Sequence, residues 1–266
     1  MNSSDLMRLT TDGALKFDPV VLAGGDIVYT VLESPVQTRL LRLKPGEPPA
    51  RLHADATTSE FEVTFTADGG AYAFVQSRGN LNMKLVIREP GKDAVFDPGG
   101  GFAAVRRPGF HPRGERVCFA IPAPTGQEIA SVGRDGKDRK TLAAGGINNW
   151  PAYSPDGSRI AFCSSRDSEF DLYVMAADGS GVRRVVKLDG MQARPAWSPD
   201  GRRLAFTWNR GGRYEIHAVG LDGRGLTTLA AGLERCDYPA WHPDGTSVVF
   251  VGERAGRFDL YRTRVG

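Results

Sequence analysis

The sequence predicts an all-β, six-bladed propeller of four-stranded antiparallel blades, with an N-terminal strand completing the last blade. Three observations lead there. A repeat of about 44 residues runs through the chain, each period holds four short β-type segments without helical periodicity, and the last period stops one strand short.

The repeat is plainest in three copies. Trp150-Pro151-Ala152-Tyr153-Ser154-Pro155-Asp156-Gly157 leads into Ile160-Ala161-Phe162. Arg194-Pro195-Ala196-Trp197-Ser198-Pro199-Asp200-Gly201 leads into Leu204-Ala205-Phe206, and Tyr238-Pro239-Ala240-Trp241-His242-Pro243-Asp244-Gly245 into Val248-Val249-Phe250. Fainter copies precede them around Gly25, Gly69 and Gly114. The six turn glycines are spaced by 44, 45, 43, 44 and 44 residues.

Each element follows from its residues. The first strand is expected to be extended throughout, because a residue before proline is pushed out of the helical region. Ser-Pro-Asp-Gly then turns the chain, proline presetting φ and glycine taking the left-handed position. Asp156, Asp200 and Asp244 are read as caps of their own turns. The short, wholly apolar run that follows fits a strand buried on both faces. A third strand begins at Asp171, Glu215 and Asp259. A glycine-rich turn and a fourth strand, such as Arg183-Arg184-Val185-Val186, end the unit. The acid that opens each third strand is expected to pair with Arg166, Arg210 or Arg254 in the same blade. The expected blades are about 12–53, 54–99, 100–143, 144–188, 189–231, and 232–266 with 5–11. Leu6 to Thr10 supply the missing strand, since an open ring would leave unpaired edges.

The pattern Pro-Ala-aromatic-Ser-Pro-Asp-Gly, then Ile/Leu-Ala-Phe, then Asp-Leu-Tyr, resembles the WD40-like (PD40-type) repeat of the TolB-like six-bladed propellers. Similar blades occur in the propeller domains of tricorn and prolyl-oligopeptidase-type peptidases. The resemblance spans the chain, most strongly in its last three units, and implies the fold. It says less about activity, because propellers host binding proteins and enzymes alike. The separate N-terminal domain and export signal of TolB, and the catalytic domain of the peptidases, have no counterpart in this sequence. The expectation is therefore a free-standing module rather than a peptidase or a Tol–Pal component.

Composition narrows the function classes. The 266 residues are 41% hydrophobic, enough for a sizeable core, and no apolar run is long enough to span a bilayer. Net charge is +3 with basic residues scattered over all repeats, which argues against a nucleic-acid footprint. Cys118, Cys163 and Cys236 have no metal-type spacing and read as buried free thiols. With no visible secretory signal, a cytoplasmic monomer is expected, or a periplasmic one if a leader once preceded Met1. Nucleophile-elbow, zinc-helix and P-loop motifs are absent, and Gly99-Gly100-Gly101 lacks the strand–helix setting of a dinucleotide fingerprint. No catalytic residue and no metal ligand is assigned.

The residues that break the repeat carry the functional expectation. Those just before the Pro-Ala-aromatic element should ring the channel mouth: Asp18, Glu60, Glu62, Arg106, Arg107, Asn149, Gln192, Arg194 and Asp237. Trp208 adds an aromatic in a loop between second and third strands. Variable polar side chains on a repeated frame describe a binding face. The mouth is expected to be negative over the first, second and sixth blades and positive or amide-lined over the others. Such a face suits a peptide or a partner protein carrying both signs. A calcium ion in the acidic half is the only cofactor that suggests itself. The rival class is a carbohydrate-active or small-ester enzyme using the same mouth. A third reading is a regulatory subunit for a separately encoded catalytic partner.

Overall fold

The computed structural model describes residues 6–77, 82–99 and 104–265. The expected blade junction at 100, the blade segment's start at 5, and Gly100-Gly101 lie outside the described residues. Twenty-four strands and no helix are found among the described residues.

Pairing is almost wholly between strands adjacent in sequence. After β1 (Met7–Arg8), the strands β2 (Lys16–Val21), β3 (Ile27–Ser34), β4 (Gln37–Leu43) and β5 (Ala50–Arg51) form one antiparallel unit. A second holds β6 (Ser59–Phe65), β7 (Tyr72–Ser77), β8 (Met83–Glu89) and β9 (Lys92–Phe96). The third is β10 (Arg106–Phe110), β11 (Arg116–Ala123), β12 (Gly126–Gly133) and β13 (Lys140–Ala143). The fourth is β14 (Gly146–Tyr153), β15 (Arg159–Ser164), β16 (Asp171–Ala176) and β17 (Arg183–Val186). The fifth is β18 (Met191–Trp197), β19 (Arg203–Arg210), β20 (Arg213–Gly220) and β21 (Thr227–Ala230). In the last, β22 (Arg235–Trp241), β23 (Ser247–Arg254) and β24 (Arg257–Arg264) take β1 as fourth strand, Met7 opposite Arg262 and Arg8 opposite Tyr261.

The core lies between units. Cys118, Ala120 and Ile129 of the third pack on Ile160, Phe162 and Tyr173 of the fourth. Ala161, Cys163 and Leu172 of the fourth meet Leu204 and Phe206 of the fifth. Equivalent clusters join the other neighbours, and one joins Ile27, Tyr29 and Val31 of the first unit to Val249, Val251 and Leu260 of the last. The apolar second strands are buried on both faces, as their composition requires. Phe74, Phe119, Phe162, Phe206 and Phe250 are fully buried at one repeat position, which Tyr29 takes in the first unit. The three cysteines are buried and unpaired, and burial pushes their thiols up, that of Cys236 to about 12.

The hairpin turns behave as their sequence says. Ser154 Oγ and the Ser158 amide donate to Asp156 Oδ1, and Gly157 N donates to Ser154 O. Those hydrogen bonds hold the Asp156 carboxyl down to about 2. Gly157, at φ 75°, is favoured for a second reason: a Cβ there would lie 2.3 Å from His111 Nε2 of the preceding unit, and the imidazole would have to move.

Two expectations fail. The acid opening each third strand does not pair with the loop arginine. Asp171 takes Arg184 of its fourth strand, Asp259 takes Arg8 of β1, and Glu215 takes His217. Arg166 instead lies over the Phe162 and Tyr173 rings, and Arg210 over Trp208. The reason is register: Tyr173 faces Arg184 and Tyr261 faces Arg8, so the fourth-strand arginine stands closest to the acid. The first strands are also not extended throughout, as the site makes plain.

Candidate functional site

One repeat position is left-handed in every unit. Asp18, Glu62, Arg107, Trp150, Arg194 and Tyr238 have φ of 47°, 56°, 55°, 53°, 56° and 57°. Each lies seven residues before its turn glycine, and proline follows all but Glu62. The ladder between first and second strands slips at each of these places. A following proline disfavours the right-handed helical region, yet Glu62, followed by valine, is left-handed too, so the bulge common to all six units goes with this conformation in place of the expected β region. A bulge re-aims a side chain. Here all six line one cavity of about 440 Å³, walled otherwise largely by the prolines and aromatics of the repeat. A second cavity of about 360 Å³ shares Asp18, Glu62, Arg107 and Tyr238 and adds Phe17, Leu32, Val36 and Phe61.

The charges inside are matched locally. Arg107 Nη1 lies 2.6 Å from Asp18 Oδ2 and 3.1 Å from Glu62 Oε1, and Arg107 N donates to Glu62 Oε2 at 2.6 Å. Arg106 adds a contact to Glu62 at 2.7 Å and lies over the Phe61 ring. Burial pushes the Glu62 carboxyl up, but the two guanidiniums and their hydrogen bonds outweigh it and leave it below the usual carboxylate range. For Asp18 burial prevails over Arg107, and its pKa is raised.

Across the cavity, the Arg194 guanidinium carbon sits 4.1 Å from the Tyr238 ring centre and 5.2 Å from that of Trp150. Its Nη2 donates to Tyr238 Oη at 3.2 Å, and its Nη1 is 3.0 Å from Asp237 Oδ1. Asp237 is fully buried and also holds Arg235, Thr207 and the Tyr238 amide. The expected division into a negative and a positive half is thus replaced by ion pairs, because Arg107 reaches both acids of the first two units and Asp237 is enclosed by two arginines. The four acids considered for calcium are spread over three sets of contacts: Asp18 and Glu62 share Arg107, Glu60 meets His53, and Asp237 meets Arg194 and Arg235.

Of the expected mouth residues, Asp18, Glu62, Arg107 and Arg194 reach the cavity. Arg106 lines the second cavity, and Asp237 stands behind Arg194 as its partner. Glu60 is buried, with His53 Nδ1 2.7 Å from its Oε2 and Tyr72 Oη 2.8 Å from His53 Nε2. Gln192 is buried, and its Nε2 donates to Leu188 O and Gly190 O. Lys16 and Asn148 occupy the same repeat position and reach back likewise to the preceding loop. These side chains staple a loop to its strand and do not face a ligand. Asn149 accepts the Trp150 amide and shapes the bulge. Trp208 donates to Asp189 O and packs on His217, outside both cavities. Trp150 and Tyr238 were not among the expected site residues. The signal was their spacing, since only one position per period recurs seven residues before the glycine.

The family described as TolB beta propeller domain (PD40) matches residues 183–266. Tol-Pal system protein TolB of Anaeromyxobacter dehalogenans is 53% identical over 47 residues, 18% of this chain and 10% of that protein. TolB from Acinetobacter baumannii superposes with a TM-score of 0.72 at 20% identity, covering 90% of this chain and 63% of that one.

The fold is that of the TolB-like β-propellers, whose family model matches the last third of the chain.

The stretch matched to this curated relative is only a tenth of that relative's length. Oligogalacturonate lyase from Vibrio parahaemolyticus shares the fold too, with a TM-score of 0.62 at 13% identity over 98% of this chain and 93% of that one. No helix among the described residues is long and apolar enough to cross a membrane. Nothing in these comparisons supports the cytoplasmic placement expected from the sequence.

Proposed function

We propose that this TolB-like propeller is a monomeric, non-enzymatic binding module of six blades, closed into a ring by its N-terminal strand, and that it holds a peptide segment of a partner protein in the central channel. The blades in this reading run at about 12–53, 54–99, 100–143, 144–188, 189–231, and 232–266 with 5–11. The observation that carries the binding reading is the ring of six left-handed residues. Their backbone is the same in every unit while their side chains are two acids, two bases and two aromatics. A repeated frame presenting unlike groups to one cavity is what selective recognition needs. The reading uses no cofactor. Against the lyase-like alternative stands the state of the acids: Glu62, Asp18 and Asp237 are each held by arginine, and no group of three metal-ligating side chains occurs among the described residues.

The test is a selection of displayed random peptides on the immobilised protein, followed by affinity measurements on variants. Arg194→Gln and Arg107→Gln should each weaken the selected peptides at least tenfold, while Arg139→Gln on the outer fourth-strand side leaves them unchanged. Peptides that bind all three variants like the wild type, or a selection that yields none, would remove the channel as the site.

A further inference from the structure

Within that channel reading, we infer that the cavity recognises a carboxylate of the bound peptide, taken at the shared edge of the stacked Trp150 indole and Arg194 guanidinium. Four tryptophans are present, and three of their indole N–H groups are satisfied by backbone carbonyls. Trp197 donates to Ala152 O at 2.9 Å, Trp241 to Ala196 O at 3.1 Å, and Trp208 to Asp189 O at 2.7 Å. Trp150 Nε1 is buried and has no acceptor. Arg194 repeats the pattern: its Nε and Nη1 are buried without a hydrogen bond, Nη1 being close enough to Asp237 for an ion pair but not aligned with it. Buried donors without an acceptor are rare in folded proteins and call for an explanation. These three belong to two touching side chains that line the same cavity.

Charge selects the class of ligand. Arg106 and Arg107 balance Asp18 and Glu62, whereas Arg194 and Arg235 share only Asp237, which leaves one positive charge on this side. One excess charge among apolar rings and prolines matches a monovalent, planar acceptor better than a dianionic phosphate. A carboxylate presents two oxygens in one plane, able to take a guanidinium edge and an indole N–H together. The clamp between the Tyr238 and Trp150 rings holds the guanidinium in place before a ligand arrives. The carboxylate can come from a chain terminus or from an acidic side chain.

Indole-¹⁵N-labelled protein reads this directly, with its four indole signals assigned by single Trp→Phe variants. The probes are N-acetylated Gly-Ser-Gly-Ala with a free C-terminus, its C-terminal amide, and an amide in which aspartate replaces the serine. The expected result is a saturable downfield shift of the Trp150 indole signal alone, with the free acid if a terminus is read or with the aspartyl amide if a side chain is read. The plain amide leaves it in place, and Arg194→Gln weakens the response at least tenfold. An equal shift with the plain amide overturns the inference while leaving channel binding intact. No shift with any probe also overturns it, and the selected peptides then show separately whether the channel binds at all.

Discussion

Asp18 and Glu62 occupy equivalent positions and share Arg107, yet their environments drive them apart. Glu62 is buried and accepts from Arg106 Nε and Nη2 and from the Arg107 amide. Asp18 has the one guanidinium contact, at the edge of the same pair. Removing the charge of Glu62 leaves two arginines and an amide short of an acceptor, whereas Arg107 keeps Glu62 if Asp18 is neutralised. Glu62→Gln should therefore destabilise the fold by about 2–3 kcal/mol and Asp18→Asn by under about 1 kcal/mol, read by urea unfolding at neutral pH. The opposite order would mean that Asp18 anchors Arg107. The raised Asp18 carboxyl and the lowered Glu62 carboxyl also oppose each other in pH dependence. The Asp18 contribution is present below the ordinary aspartate range and lost as pH rises through its raised value. That of Glu62 is present above the ordinary glutamate range and lost as pH falls through its lowered value.

At the scale of an element, β1 shows how two residues can act as a strand. Met7 and Arg8 are exposed, so the hold is polar: Arg8, Thr10 Oγ1 and the Gly13 amide all donate to Asp259, whose side chain is 1% exposed. Arg8 occupies the place of Arg184 on Asp171, so the chain's start imitates a fourth strand residue for residue. Burial pushes the Asp259 carboxyl up, but the bonds from Arg8, Thr10 and Gly13 outweigh it and hold it below the usual range. A lowered carboxyl stabilises above its unfolded pKa and loses that contribution as pH falls through the lowered value. Asp259→Asn should thus lower stability by about 2–4 kcal/mol at pH 7, with the gap to wild type closing on acidification, followed by thermal melts from pH 7 to pH 2. A constant gap would assign the loss to packing.

For the whole molecule, the decisive contact is between its ends. The first and last units share a hydrophobic cluster, to which Leu9 is packed, while Leu6 packs on the cluster between the fifth and last units. Leu9 N also donates to Leu260 O, and Lys16 is buried with its ammonium on Ala14 O and Phe258 O. Deleting residues 1–10 removes the strand, both leucines and two partners of Asp259 together. The truncated protein should be less stable by about 3–5 kcal/mol and melt at a visibly lower temperature as one cooperative unit. A melt that superimposes on that of the full chain would show that the terminal strand is dispensable.

The sequence by itself determined the period, the four-strand unit, the Asp-Gly turns, the buried second strands, the unpaired thiols and the N-terminal strand's place beside Leu260. Most of these depend on local rules, namely turn chemistry, continuous apolar runs and a recurring spacing, and the N-terminal strand's place follows from the strand missing in the last period. The sequence also pointed to four of the six left-handed residues that line the larger cavity. Trp150 and Tyr238 stayed hidden because, unlike Asp18, Arg107 and Arg194 at the same position, they are aromatic and read as part of the repeated apolar frame, and a bulge is invisible to a pattern of alternation. Glu60, Gln192 and Trp208 looked like ligand groups because they vary between repeats. Only the tertiary structure decided that their partners are the loop or strand behind them. The pairing of charges was likewise a tertiary matter. Arg107 meets Asp18 across a separation of 89 residues, a distance along the chain over which spacing carries no information about which carboxylate a guanidinium will face.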